Sequence, residues 1–173
     1  MPRRLVAAPV LAVLAAPLLA GCTPTVHLEA APDAGDPLCA DVSVRMPDSV
    51  SGLERRWTDA QATAAWGDDA GTAVILSCGF DAPAPTTQQC VTIDGVDWIV
   101  DETDRPNLRM TTYGREPAVQ VYVNTEVVTA DSVLAGSALG SAVQSLPRTA
   151  QCTDPDVAEP EATDAPTTGD AGD

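Results

Sequence analysis

The chain has 173 residues, among them nine basic and 25 acidic residues, which give a formal net charge of −16. It contains one histidine and no lysine. Proteins that bind the phosphates of DNA or RNA need clusters of basic residues, so this charge excludes nucleic acid as a partner.

The first 22 residues, MPRRLVAAPVLAVLAAPLLAGC, have the pattern of an export signal. Two arginines precede an apolar run of 16 residues, which is shorter than the roughly 20 that a membrane-spanning helix needs. Leu19-Ala20-Gly21-Cys22 resembles the bacterial lipobox, in which the peptide is cut before an acylated cysteine. We predict that residues 1–21 are a lipoprotein signal peptide and that Cys22 carries a lipid whose acyl chains include palmitate. The alternative is an ordinary cleaved signal with an unrelated cysteine.

The chain after this segment divides into three parts. Residues 22–35 lack hydrophobic periodicity, which predicts a flexible tether behind the lipidated cysteine, with His27 solvated in it. Residues 153–173 combine acidic residues with proline and have no basic residue, which predicts a disordered acidic tail. Residues 36–152 have the length of one ordinary domain. Without the signal peptide the formal charge is −18, so an anionic membrane surface would repel the protein and the lipid alone must anchor it.

The sequence of the first half of this domain predicts a helix, a turn and a strand. Leu38, Val42 and Met46 are four residues apart, which predicts a short helix from Pro37 that stops before Pro47. The sequence Gly-Asp-Asp-Ala-Gly at 67–71 is a turn signal. The continuous apolar run at 72–78 predicts a central, buried strand.

The second half predicts a hairpin, further strands and a helix. Asp94-Gly95 between two apolar segments is a strong hairpin signal. Valines alternate with polar residues over 117–124, which predicts a strand with one wet face. Residues 130–146 predict a helix in which Gly136 and Gly140 allow close packing on the sheet or the first helix. The fold predicted is a small α+β domain: an antiparallel sheet of about five to seven strands, with an N-terminal and a C-terminal helix packed on one face.

Four cysteines remain after Cys22, and an even number outside the cytoplasm predicts disulfides. Their spacing suits neither a zinc site nor a redox Cys-x-x-Cys motif. Cys78 ends one predicted strand and Cys90 begins the next, so we expect a disulfide between them. That choice leaves Cys39 to pair with Cys152.

A resemblance is carried by four motifs that follow the lipobox in order. They are Gly52-Leu53-Glu54-Arg55-Arg56, Ala65-Trp66-Gly67-Asp68, Ser77-Cys78-Gly79 and Asp94-Gly95-Val96-Asp97-Trp98. Together they resemble an actinobacterial lipoprotein family of unknown function, domain of unknown function 3515, over roughly residues 36–146. The resemblance implies no activity, cofactor or site residue. The abundance of alanine, arginine and aspartate without lysine suggests a GC-rich genome, which fits an actinomycete.

No catalytic or cofactor motif is present in the sequence. The only histidine lies in the tether, which excludes a Ser-His-Asp triad, and no phosphate-binding glycine loop or calcium loop occurs. We therefore predict no catalytic residue, no cofactor site and no metal site. Carboxylate pairs can be distant in sequence, so a small envelope hydrolase with such a pair stays as the alternative.

The aromatic and basic residues give one candidate binding surface. Trp98 alternates with Val96 and Val100 on one strand face, which predicts a core position. Trp57 follows two arginines directly, and we predict that Arg55, Arg56 and Trp57 form a binding patch. The function expected is that of a non-enzymatic binding module on the outer face of the cell membrane. Its partner would be an envelope protein or a cell-wall component.

Overall fold

The computed structural model describes residues 24–153. The predicted signal peptide (1–21), the lipidation site Cys22 and residues 154–173 of the predicted acidic tail lie outside the described residues. None of the helices within residues 24–153 has the length and apolar character to cross a membrane.

The domain is built on one antiparallel sheet. Its strands are β1 (Ser49–Val50), β2 (Leu53–Arg56), β3 (Thr63–Asp68), β4 (Gly71–Phe80), β5 (Cys90–Ile93), β6 (Val96–Asp101), β7 (Asn107–Tyr113) and β8 (Ala118–Asn124). The spatial order is β1-β2-β3-β4-β8-β7-β6-β5. The sheet therefore consists of two meanders whose last strands, β4 and β8, pair at its centre. The antiparallel α+β architecture is confirmed, but the eight strands found among the described residues exceed the five to seven predicted.

Two of the sequence signals for strands hold in detail. The apolar run predicted as a central strand lies in β4, between β3 and β8. The hairpin joins β5 to β6 with Ile93 opposite Val96. Its two turn residues, Asp94 and Gly95, have φ angles of 48° and 75°, and positive φ at both positions defines the turn that suits a two-residue hairpin.

The helices are α1 (Pro37–Ser43), α2 (Ala130–Leu134) and α3 (Ala138–Gln144). α1 begins at Pro37 as predicted, and the carboxylate of Asp36 caps it by accepting from the Leu38 N–H at 2.7 Å. The predicted arrangement of one N-terminal and one C-terminal helix is wrong. The C-terminal segment breaks into two short helices because Ala135 is extended and Gly136 has a left-handed φ of 60°.

Gly140 allows close packing, as predicted for Gly136 and Gly140. The element that packs against it is α2, however, and not the sheet or α1. A Cβ atom on Gly140 would lie 2.4 Å from the carbonyl oxygen of Leu134. The missing side chain thus lets α3 start directly against the end of α2, rather than against the sheet or α1.

One face of the sheet and the helices share a single apolar core. Trp66 of β3 and Trp98 of β6 lie in this core and are fully buried, which confirms the prediction for Trp98. Their core neighbours include residues of β4, β8, α1 and α3, namely Val74, Leu76, Val119, Val121, Val123, Cys39, Val42, Leu139 and Val143. On the other face of β8, Gln120 and Tyr122 are half-buried, as expected for a strand with one wet face.

All four cysteines within residues 24–153 form disulfides, but the predicted partners are wrong: Cys39 pairs with Cys78, and Cys90 pairs with Cys152. The order β4-β8-β7-β6-β5 places the strands of Cys78 and Cys90 four spacings apart, which is about 19 Å. A disulfide needs its two Cα atoms within about 7 Å. Cys78 instead faces α1 on the core side, with a Cα–Cα distance of 5.5 Å to Cys39.

The segment predicted as a tether is attached to the domain from Val26 onward. Val26 forms a parallel bridge with Thr58, and the N–H of Asp33 donates to the carbonyl oxygen of Gly79 at 2.9 Å. Ala31 and Ala34 are buried. Within residues 26–35 the flexible-tether prediction is therefore wrong, because backbone pairing and buried alanines hold this segment without any hydrophobic periodicity.

Candidate binding surface

Two of the three tryptophans of the domain are buried, and the third is exposed to solvent. Trp66 and Trp98 are fully buried, whereas Trp57 is 76 % exposed. Trp57 stands directly after β2, beyond the last residue that pairs with β3. It is the one aromatic side chain in residues 24–153 that projects into solvent. A large exposed apolar ring of this kind marks a candidate contact surface.

The two neighbouring arginines are held by the strand in different ways. Arg55 pairs in register with Trp66, and its guanidinium group lies 5.7 Å from the centre of the Trp66 ring. It also donates to the carbonyl oxygen of Met46 at 3.2 Å. Arg56 extends from the other face of the strand and donates to the carbonyl oxygen of Asp68 at 3.3 Å. Both arginines therefore have structural contacts as well as donors to spare.

The predicted patch residues do come together around one depression. A shallow hollow of about 470 Å³ is lined by Arg55, Arg56 and Trp57, together with Asp48 and Thr58. The hollow is open to solvent, and its lining combines cationic donors, an aromatic ring and one carboxylate. Such a lining suits contact with a polar or anionic surface better than enclosure of a small apolar ligand.

The N-terminal segment runs along the edge of this surface. The N–H of Val26 donates to the carbonyl oxygen of Trp57 at 2.7 Å. Asp59 then accepts from the Leu28 N–H at 2.9 Å and lies 2.6 Å from Nδ1 of His27. These hydrogen bonds, first that of Leu28 and then that of His27, hold the pKa of Asp59 below its ordinary value. No pattern in the sequence indicated this pairing, since Asp59 belongs to no motif.

The acidic residues of the β6–β7 connection form ion pairs with arginines. Arg109 lies 3.7 Å from Asp101 and 3.3 Å from Asp104, and Arg105 lies 2.6 Å from Glu102. Hydrogen bonds from Thr103 lower the pKa of Asp101. Among the described residues, no three side chains of His, Cys, Asp or Glu lie close enough together to hold a metal ion.

A second polar cluster holds the end of α3, and the sequence analysis did not predict it. Arg115 is only 6 % exposed and donates to the carbonyl oxygens of Gln144, Leu146 and Gly95. Burial, followed by repulsion from Arg148, lowers its pKa. This arginine joins the end of α3 to the β5–β6 turn, which is a structural role.

The sequence was also compared with known proteins. A family model described as "Protein of unknown function (DUF3515)" matches residues 5–164. The chain belongs to the DUF3515 family. The DUF3515 match extends beyond residues 36–146, the range over which the motifs suggested the resemblance. No curated protein and no solved structure matches the chain.

Proposed function

We propose that this DUF3515 protein is an extracytoplasmic lipoprotein of the cell envelope that works by binding rather than by catalysis. Anchoring is supported by the lipobox at Cys22. An oxidising compartment is supported by the two disulfides, since stable disulfides are rare in the cytoplasm.

The observation that carries the binding role is the exposure of Trp57. The two other tryptophans are fully buried, and in this domain only Trp57 leaves its ring in solvent, beside Arg55 and Arg56. Tryptophan and arginine are enriched in protein contact surfaces and among the residues that contribute most to their binding energy.

The alternative, a small envelope hydrolase, calls for a carboxyl group whose pKa is raised so that it can act as an acid. Among the carboxyl groups of residues 24–153, those with a shifted pKa are Asp59 and Asp101, and hydrogen bonds lower the pKa of both. The only histidine, His27, is held by Asp59 at an exposed position. No observation favours the hydrolase, so the binding role is the one proposed.

The test is photo-crosslinking in intact cells, with a photoreactive amino acid placed at position 57 or, as the control, at position 127. Val127 is also an exposed apolar side chain, at 48 %, but lies outside the hollow. We expect a crosslink from position 57 that is absent from position 127, and we expect the protein in the membrane fraction. The variant Cys22→Ala should release the protein from the membrane.

Two results would contradict the proposal separately. Retention of Cys22→Ala in a detergent-extractable membrane fraction would refute lipid anchoring. Equal crosslinking from positions 57 and 127 would remove Trp57 from the contact surface. The double variant Arg55→Ala, Arg56→Ala is a poorer probe, because Arg55 supports the buried Trp66 and its loss would also lower stability.

A further inference from the structure

The distance between the lipid anchor and the Trp57 surface is limited by chain length. Only three residues, 23–25, separate Cys22 from Val26, and the Val26 N–H is bonded to the carbonyl oxygen of Trp57. Four residue steps span at most about 14 Å even when fully extended. A lipid on Cys22 would therefore hold the backbone at Trp57 close to the membrane surface, whatever the orientation of the rest of the domain.

The side chains at this end suit the boundary between lipid and water. Tryptophan is enriched at membrane interfaces, where its ring reaches the headgroup region and its N–H stays hydrated. Trp57, with 76 % of its surface exposed, is the aromatic residue nearest in the fold to the point where the chain enters the domain. Arg55 and Arg56 line the same hollow, and guanidinium groups donate paired hydrogen bonds to phosphates.

We propose that the Trp57 surface, defined as Arg55, Arg56 and Trp57, rests on the bilayer that holds the lipid of Cys22. The ring of Trp57 lies among the lipid headgroups, and the arginines contact lipid phosphates. This inference rests on the proposed function, because it needs the anchor, and it names the partner of the surface as phospholipid. The domain is thus held on the membrane at two points, the lipid and the tryptophan.

The surrounding charges determine which lipids the contact needs. Acidic residues lie near the arginines: Asp48 lines the same hollow, and Glu54, Asp68 and Asp69 line the adjacent one. These carboxylates offset the two arginines, so an anionic membrane would not attract this end of the domain. The contact must depend on the anchor and on Trp57, and it should form equally on uncharged phosphatidylcholine and on mixtures with phosphatidylglycerol.

The test uses the full lipidated chain, purified from membranes and reconstituted into phosphatidylcholine vesicles whose acyl chains are brominated near the glycerol end. Bromine quenches tryptophan fluorescence at short range. We expect the wild-type protein to lose the Trp57 share of its emission. Trp57→Phe, which keeps only the buried Trp66 and Trp98, should show no such loss. Flotation with the vesicles measures anchoring separately.

A matched control moves the exposed tryptophan to the other edge of the sheet. The double variant Trp57→Phe, Gln89→Trp places it next to β5, six strand spacings from β2, or about 29 Å away. Gln89 is exposed. This variant should float with the vesicles and escape quenching.

Each other outcome overturns the inference. Flotation with equal quenching of wild type and Trp57→Phe would leave the anchor intact and refute the bilayer contact. Quenching of the Gln89→Trp control to the wild-type extent would show that the domain has no preferred side. Crosslinking of position 57 to a protein or a glycan in place of lipid would assign the surface to that partner. Failure to float would refute both the anchor and the contact.

Discussion

At the scale of single residues, the arginines show why charge alone does not identify a binding site. Arg55 and Arg56 are adjacent in sequence and attract attention as a basic pair, whereas Arg115 stands alone. In the fold, Arg115 is buried and donates to three carbonyl oxygens. Its role depends on carbonyl groups about 20 to 31 residues away in the chain, and no local pattern in a sequence reports such a contact.

This role predicts a large effect of Arg115→Ala on stability. The substitution leaves three carbonyl groups without their charged donor, and we expect the free energy of unfolding to fall by about 2–4 kcal/mol. The matched control is Arg109→Ala, which removes exposed ion pairs with Asp101 and Asp104 and should cost less than about 1 kcal/mol. Urea unfolding of both variants measures the difference. Equal losses would show that Arg115 is no more important than a surface arginine.

At the scale of elements, the sequence predicted features that depend on neighbouring residues. The start of α1 at Pro37, the Asp94-Gly95 hairpin and the buried β4 were all predicted from patterns within about ten residues. The same reasoning missed β1 and β2, since β1 has two residues and β2 is mostly polar. It paired Cys78 with Cys90 because neighbouring strands in sequence were taken as neighbours in space.

The strand order shows that β4 and β5 are not neighbours in the sheet. It therefore predicts which peptides the disulfides link. Aspartate residues lie between all four cysteines, so cleavage before aspartate places each cysteine on a different peptide. Under non-reducing conditions we expect the peptide 36–40 linked to 69–80, and the peptide 81–93 linked to 131–153. A link between 69–80 and 81–93 in mass spectrometry would contradict this sheet order.

The same two disulfides should differ in their response to reductant. Cys39 and Cys78 are fully buried, whereas Cys90 and Cys152 are both partly exposed. Each closes a long loop and stabilises the domain by about 4 kcal/mol in chain-entropy terms. Because a thiolate must reach the sulfur that it attacks, a mild dithiol should open Cys90–Cys152 first, and the alkylated thiols in the same digest would show it.

At the scale of the whole molecule, the dominant feature is the excess of negative charge. Residues 24–153 carry 18 acidic and seven basic residues, a formal charge of −11. The ion pairs within residues 24–153 involve three arginines, Arg105, Arg109 and Arg148, and the histidine His27. Most carboxylates therefore repel one another across the surface, which destabilises the compact state at low ionic strength.

Screening of this repulsion predicts that sodium chloride stabilises the protein. The Debye length falls from about 30 Å at 0.01 M to about 8 Å at 0.15 M salt. If this screening removes about 1 kcal/mol of repulsion, Tm should rise by about 4 °C. The control is the double variant Asp41→Asn, Glu126→Gln, since both residues are exposed. It should have a higher Tm than wild type at 0.01 M salt and a smaller rise by 0.15 M. A fall in Tm with added salt in calorimetry would instead show that the ion pairs outweigh the repulsion.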